Sequence, residues 1–180
     1  RSMVHQDGDF HRTVHIWVVR RKVDGGLEVL LQKRSKDKDA YPGCYDVSSA
    51  GHVQAGDDFA CSAIRELQEE LGITAREEDL RFIGFHEGYV ENNFWGRSFK
   101  DWEISAVYLY EKTVEEDQLT LQESEVEGVV FMDYEKALKG IRERTFLNSI
   151  YPKEFLMIRE AMKPSFCAEG VWVKEIIAGL

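Results

Sequence analysis

The chain has 180 residues, a length that fits one domain with a sizeable hydrophobic core. Its formal net charge of −10 argues against broad nucleic-acid binding. The sequence shows neither an apolar run long enough to cross a membrane nor a signal-peptide pattern. Three cysteines, an odd number without metal-ligand spacing, lead us to expect a reducing, cytoplasmic setting: Cys44, Cys61 and Cys167.

In chain order, residues 14–21 are β-branched and aromatic and predict a strand. Residues 27–33 predict its antiparallel partner after a turn at Asp24-Gly25-Gly26. Further elements are predicted as a short strand at 45–49, a helix at 58–71, strands at 80–90, 103–111 and 126–133, and helices at 134–141 and 152–162. The segments 34–43 and 91–99 are predicted loops.

The predicted helix 58–71 has one apolar stripe, formed at three- and four-residue spacing by Ala60, Ala63, Ile64, Leu67 and Leu71. Gly72 stands where helices often end in a left-handed cap, and Asp57 or Asp58 can cap the start. We expect Cys61, on the flank of the helix, to be a small packing residue.

Three glutamates of this helix, Glu66, Glu69 and Glu70, follow i, i+3, i+4 spacing and share a face. Their charges repel one another, and a divalent cation between them would relieve that repulsion. Oxygen-only ligation suits Mg²⁺, Mn²⁺ or Ca²⁺. A solvated acidic face, with Arg65 paired to Glu69 at i+4, explains the cluster equally well.

The flanks of the cluster resemble the signature of the Nudix hydrolases: a Gly, five residues, an acid, seven residues, then Arg-Glu-apolar-X-Glu-Glu-X-Gly-apolar. The signature positions are held by Gly51, Asp57, Arg65, Glu66, Leu67, Glu69, Glu70, Gly72 and Ile73. One position departs, because the family has Glu where this chain has Asp57. The shorter aspartate would reach a metal only through water.

This resemblance implies an α/β fold, the Nudix-type α/β/α sandwich with a mixed β-sheet. We find no repeat or linker and therefore expect a single Nudix domain over 1–180, with its core at about 11–163 and an unassigned tail at 164–180. The implied cofactor is Mg²⁺, with Mn²⁺ as a substitute. Its implied ligands are Glu66, Glu69, Glu70, Asp57 and His52.

Other segments resemble type I isopentenyl diphosphate isomerases and the hydrolases related to them, namely residues 11–15, 30–35, 41–43 and 51–52. In the isomerase, histidines and two acids on a later strand bind a metal. The matching residues here are His11, His52, Asp101 and Glu103, with His5 as a near match.

Ala50 distinguishes this chain from the isomerases and favours the related hydrolases. The isomerase has its catalytic Cys at this position, and alanine cannot transfer a proton. The three glutamates of the helix are also typical of the hydrolases. We therefore expect a diphosphate hydrolase with an isomerase-like frame.

The resemblance implies hydrolysis of a nucleoside diphosphate derivative, or a similar organic diphosphate, by water attack on phosphorus. The candidate catalytic residues are Glu66, Glu69 and Glu103, with Glu66 or Glu103 as the base. We expect Glu66 to be exposed on the metal-binding face. The candidate substrate-binding residues are Arg34, Lys38, Gly51 and His11, and Gly51 with Gly56 would let the backbone approach the phosphates.

Ordinary structural roles remain open for several of these side chains. His11 and His52 are equally compatible with hydrogen-bonded histidines that bind no metal. Lys38 is equally compatible with a solvated loop charge, and Asp101 is more typical of an acid at a strand end.

The expected partner is a small-molecule diphosphate, with no nucleic acid, no membrane and a monomeric or homodimeric state. Two alternatives are an isopentenyl diphosphate isomerase, which Ala50 disfavours, and a catalytically silent Nudix-derived sensor. Such a sensor would be expected to lose the signature carboxylates that this chain retains. Phe94 and Trp95 fit either loop aromatics or a stacking surface, and Trp17 is expected in the core.

Overall fold

A computed structural model of the chain describes residues 8–163. Its strands are β1 (Phe10–Arg21), β2 (Leu27–Arg34), β3 (Tyr45–Asp46), β4 (Ser49–His52), β5 (Leu80–Phe94), β6 (Arg97–Tyr110) and β7 (Val126–Asp133). Its α-helices are α1 (Phe59–Leu71), α2 (Tyr134–Glu143) and α3 (Pro152–Met162), and short 3₁₀ turns span Glu77–Asp79 and Glu116–Gln118.

The seven strands form one sheet with the order β3-β2-β1-β6-β5. In addition, β4 pairs with the first half of β1, and β7 pairs with β2. The pair β1–β6 is parallel and the other pairs are antiparallel. The predicted mixed sheet is therefore confirmed.

Helices cover both faces of this sheet. Successive residues of β1 point to opposite faces, and each face therefore carries apolar side chains that a helix buries. Val14, Ile16 and Val18 pack with α1 in one core cluster. Trp17 and Val19 pack with α2 and α3 in a second cluster. This is the predicted α/β arrangement, and Trp17 is buried in the core as expected.

The ends of α1 follow the predicted capping. Asp58 caps the start, because its carboxylate accepts a hydrogen bond of 2.7 Å from the backbone N–H of Cys61. Gly72 ends the helix with φ 71°, the left-handed conformation that glycine adopts without strain. The expected packing role of Cys61 is wrong, because its side chain is exposed.

The predicted loop at 91–99 is wrong, because β5 and β6 continue through it as a hairpin. The chain reverses at Trp95-Gly96, both with positive φ, which matches the twist of a two-residue hairpin. Cross-strand pairs such as Asn92 with Phe99 extend the ladder to this turn. The polar and aromatic composition of the segment concealed that pairing.

Other element boundaries differ less. The first strand begins at Phe10 instead of residue 14, and the predicted strand 45–49 is two short strands, β3 and β4. Within residues 8–163, no helix has the length and apolar character needed to cross a membrane. The predicted tail 164–180, Cys167 and His5 lie outside the described residues.

Candidate active site

A cavity of about 720 Å³ opens on the face of the sheet that carries α2 and α3. The residues singled out from the sequence that line it are Arg34, Lys38, Gly51, His52, Glu70, Asp101 and Glu103. Those that lie outside its lining are Glu66, Glu69, Asp57 and His11. The cavity therefore brings together one signature glutamate from α1 and the two acids of β6.

Glu66 is buried, with 8% of its surface exposed, so the expectation of an exposed side chain is wrong. The reason is Gly51 on β4, where a β-carbon would collide with the Glu66 carboxylate. Arg65 Nη1 donates a 2.7 Å hydrogen bond to Glu66 Oε1 and approaches Glu69 Oε2 at 3.3 Å. The absence of a side chain at Gly51 thus makes room for a signature carboxylate directly behind the cavity.

Glu70 is also buried, with 5% of its surface exposed. Its Oε2 accepts a 3.1 Å hydrogen bond from the backbone N–H of Ala50. Burial raises the pKa of Glu70 to about 7, and the charge of Glu66 adds to this effect. Two buried carboxylates on one helix face are an arrangement that a bound cation would stabilise. Glu66 and Glu70 therefore fit a divalent metal.

The raised pKa of Glu70 predicts how metal-free stability depends on pH. A carboxyl group whose pKa is higher in the folded state loses stability as the pH rises from its unfolded pKa to its folded pKa. For a shift from 4.5 to about 7, that loss is at most roughly 3 kcal/mol. In urea unfolding, wild type should lose stability relative to Glu70→Gln between about pH 5 and about pH 8. Parallel pH profiles for the two proteins would contradict the prediction.

A second cluster of metal-type ligands lies where the start of β1 pairs with the middle of β6. Ligand atoms of His11, Asp101 and Glu103 all lie within 4.8 Å of one another. His11 Nε2 is 3.3 Å from Asp101 Oδ1, and the His11 ring stacks on His52 with centroids 4.7 Å apart. Parallel pairing of β1 with β6 places His11 opposite Glu103 and produces this convergence.

The remaining predicted residues have contacts within the protein. Arg34 binds the carbonyl of Ala40 at 3.0 Å and Asp46 at 2.9 Å, so it holds the loop 35–44 against the cavity. Lys38, on that loop, pairs with Glu125. Asp57 lies exposed in the turn before α1. Phe94 packs against Tyr41, whereas Trp95 is exposed at the hairpin turn.

A buried pair on the cavity floor was missed by sequence reasoning. Glu154, in the first turn of α3, is 2% exposed and accepts hydrogen bonds of 2.8 Å from His15 Nδ1 and from Trp17 Nε1. The other ring nitrogen of His15, Nε2, lies 3.6 Å from Glu103 Oε1 and 3.4 Å from Ser105 Oγ. His15 therefore connects α3 to Glu103.

The electrostatics of this pair support a charged state. Burial alone would lower the pKa of His15, but the charge and hydrogen bond of Glu154 outweigh it and raise the pKa to about 10. Burial would likewise raise the pKa of Glu154, yet the interaction with His15 lowers it. One signal in the sequence pointed to Glu154, since it lies at i−4 from Ile158 in the apolar stripe of α3.

A comparison with protein-family profiles matches residues 9–153 to the NUDIX domain. The chain belongs to the Nudix family. Among curated proteins, Nudix hydrolase 3 of Arabidopsis thaliana is 40% identical over 139 residues, which is 76% of this chain and 17% of that protein. An uncharacterised Nudix hydrolase of Clostridium acetobutylicum is 32% identical over 165 residues, 91% of this chain and 75% of that protein.

Solved Nudix structures show the same fold at low identity. The NUDIX domain of Shewanella oneidensis NrtR, solved in complex with ADP ribose, aligns with a TM-score of 0.56 and 16% identity. The alignment covers 85% of this chain and 88% of that chain. This likeness confirms the Nudix-type α/β fold, and the relationship to Nudix hydrolases indicates a pyrophosphohydrolase.

Proposed function

We propose that this Nudix protein is a Mg²⁺-dependent hydrolase that cleaves the diphosphate of a nucleoside diphosphate derivative or a similar organic diphosphate. The observation that carries the proposal is that Glu70 of the signature helix and Glu103 of β6 line one cavity. Both carboxylates are buried, with 5% and 8% of their surface exposed. Glu70 on α1 would bind the metal and Glu103 on β6 would accept the proton, and both carboxylates face the same cavity.

In this proposal the metal-binding residues are Glu66, Glu69 and Glu70. Bound Mg²⁺ would neutralise charge on the phosphates and favour attack on phosphorus. Glu103 takes the proton of the attacking water, because it lines the cavity, whereas Glu66 is covered by Gly51 and paired with Arg65. The contact with His15 at 3.6 Å orients the Glu103 carboxylate.

The substrate phosphates would approach the wall formed by β4 and the loop 35–44. Lys38 on this loop adds positive charge beside Glu125. Arg34 contributes mainly by fixing the loop, since three of its N–H groups are bonded to Ala40 and Asp46. The ADP ribose in the NrtR structure is one member of the substrate class to test first.

A specific observation keeps isomerase chemistry as the second candidate. His11, Asp101 and Glu103 converge as a ligand set, and these positions match the isomerase metal residues. Against it, Ala50 lines the cavity at the position of the catalytic Cys and offers no acid or thiol.

A Mg²⁺-dependent screen tests these candidates together. We expect phosphate or phosphomonoester release from at least one nucleotide or non-nucleotide diphosphate, and no isomerised product from isopentenyl diphosphate. Product analysis by chromatography distinguishes the two reactions. Isomerisation would overturn the choice of branch, and binding of a diphosphate without turnover would favour the sensor.

A further inference from the structure

One face of the sheet has aromatic side chains that α1 leaves uncovered. The helix packs over the middle of β1 and the C-terminal half of β6. The start of β1, the middle of β6 around residue 102 and the edge strand β5 extend beyond it. Five aromatic side chains in this region are about half exposed, with Trp102 the least at 41% and Tyr89 the most at 57%. They are Phe10, Phe82, Phe85, Tyr89 and Trp102. We call these five residues the aromatic face.

The rings of the aromatic face contact one another in two groups, one of three rings and one of two. Phe10 and Trp102 have centroids 5.2 Å apart, and Tyr89 lies 6.4 Å from Trp102. Phe82 and Phe85 are 5.0 Å apart. Because each half-exposed aromatic ring presents on the order of 100 Å², the five together present about 500 Å². That is near the upper range of apolar patches on monomers.

Two opposite charges flank the centre of this face. Arg12 of β1 and Glu87 of β5 both lie opposite Ile104 of β6, one strand to each side. Arg12 lies over the Phe59 ring at 5.6 Å, and Glu87 accepts a hydrogen bond from Trp102. Neither forms an ion pair with any residue of the described range 8–163.

We propose that a second copy of this chain packs on the aromatic face, about a two-fold axis that runs along β6 over Ile104. Neighbouring strands are about 4.8 Å apart, so Arg12 and Glu87 are equally distant from that axis. The two-fold rotation then places Arg12 opposite the partner subunit's Glu87, and Phe10 opposite the partner subunit's Tyr89. Such exchange of unlike residues is what an isologous interface requires.

The area is consistent with this occupant. A stable interface buries about 800 Å² per partner, and the aromatic face supplies more than half of that before Arg12, Glu87 and the rim are counted. The cavity lies on the opposite face of the sheet, lined by Thr13, His15 and Glu103. Dimerisation therefore leaves the candidate active site open and does not depend on the proposed function.

Sedimentation velocity from about 1 to about 100 μM tests the proposal. Wild type should dimerise in this range. Arg12→Glu and Glu87→Arg should each raise the dissociation constant at least about tenfold, since like charges would then face each other. The double variant Arg12→Glu/Glu87→Arg should restore the wild-type value. Lys139→Glu, an exposed charge reversal on α2, serves as the matched control and should have no effect.

Circular dichroism of each variant confirms that the fold is retained. A wild type that stays monomeric throughout the range overturns the proposal. So does a dimer that the single charge reversals leave unchanged, or one that the double variant fails to restore.

Discussion

Replacing Glu103 with Gln is expected to lower kcat by at least roughly a hundredfold at saturating Mg²⁺, because a positioned base contributes about 10²–10⁴ to the rate. At limiting Mg²⁺, Glu66→Gln should lower kcat to a similar degree by a different route, since it removes one negative charge from the metal-binding face and weakens metal binding. Gln is nearly isosteric with Glu and can still accept the hydrogen bond from Arg65. We therefore expect little change in the melting temperature of either metal-free variant.

The two variants distinguish the base from the metal-binding carboxylate. Steady-state kinetics over a range of Mg²⁺ concentrations should show partial recovery for Glu66→Gln and none for Glu103→Gln. Glu77→Gln, an exposed glutamate outside the cavity, is the matched control and should retain normal turnover. Full activity in both Glu66→Gln and Glu103→Gln would contradict the assignment of the base and of the metal-binding carboxylate.

Replacing Glu154 with Leu is expected to destabilise the protein by about 3–5 kcal/mol, because it leaves the His15 charge buried without its partner. The Trp17 indole N–H loses its acceptor in the same variant. The loss should appear in urea unfolding as a lower midpoint with little change in slope.

Two further variants separate the ion pair from general damage to α3. The double variant His15→Leu/Glu154→Leu should be more stable than Glu154→Leu alone, because apolar replacement of both partners removes the unpaired charge. Glu160→Ala, on the exposed side of the same helix, should change stability little. If Glu154→Leu is no less stable than Glu160→Ala, the pair does not stabilise the fold.

The helices show which features of this fold could be predicted from the sequence. Local signals specify α1 through its apolar stripe and its caps Asp58 and Gly72, and α3 begins with Pro152 in its first turn. Both helices lie within one residue of the predicted bounds. Strand pairing is not local, and this is why the β5–β6 hairpin was mistaken for a loop. Its ladder depends on partners across the turn at Trp95-Gly96, and composition alone carries no record of them.

In the candidate site too, local features could be predicted from the sequence and tertiary contacts could not. The signature spacing identifies Glu66, Glu69 and Glu70 as one helix face, but their burial depends on packing. Glu66 is buried only because Gly51 of a separate strand lies against it. The pair of His15 with Glu154 joins residues 139 positions apart, and only the docking of α3 on the sheet creates it.

Calorimetric titration with Mn²⁺ tests most directly whether the signature helix holds the catalytic metal. The matched variants are Glu70→Gln, which alters the helix set, and Asp101→Asn, which alters the cluster with His11. We expect wild type to bind Mn²⁺, Glu70→Gln to bind it at least about tenfold more weakly, and Asp101→Asn to bind it like wild type. Unchanged affinity in Glu70→Gln together with lost binding in Asp101→Asn would contradict the account and place the metal at β1 and β6.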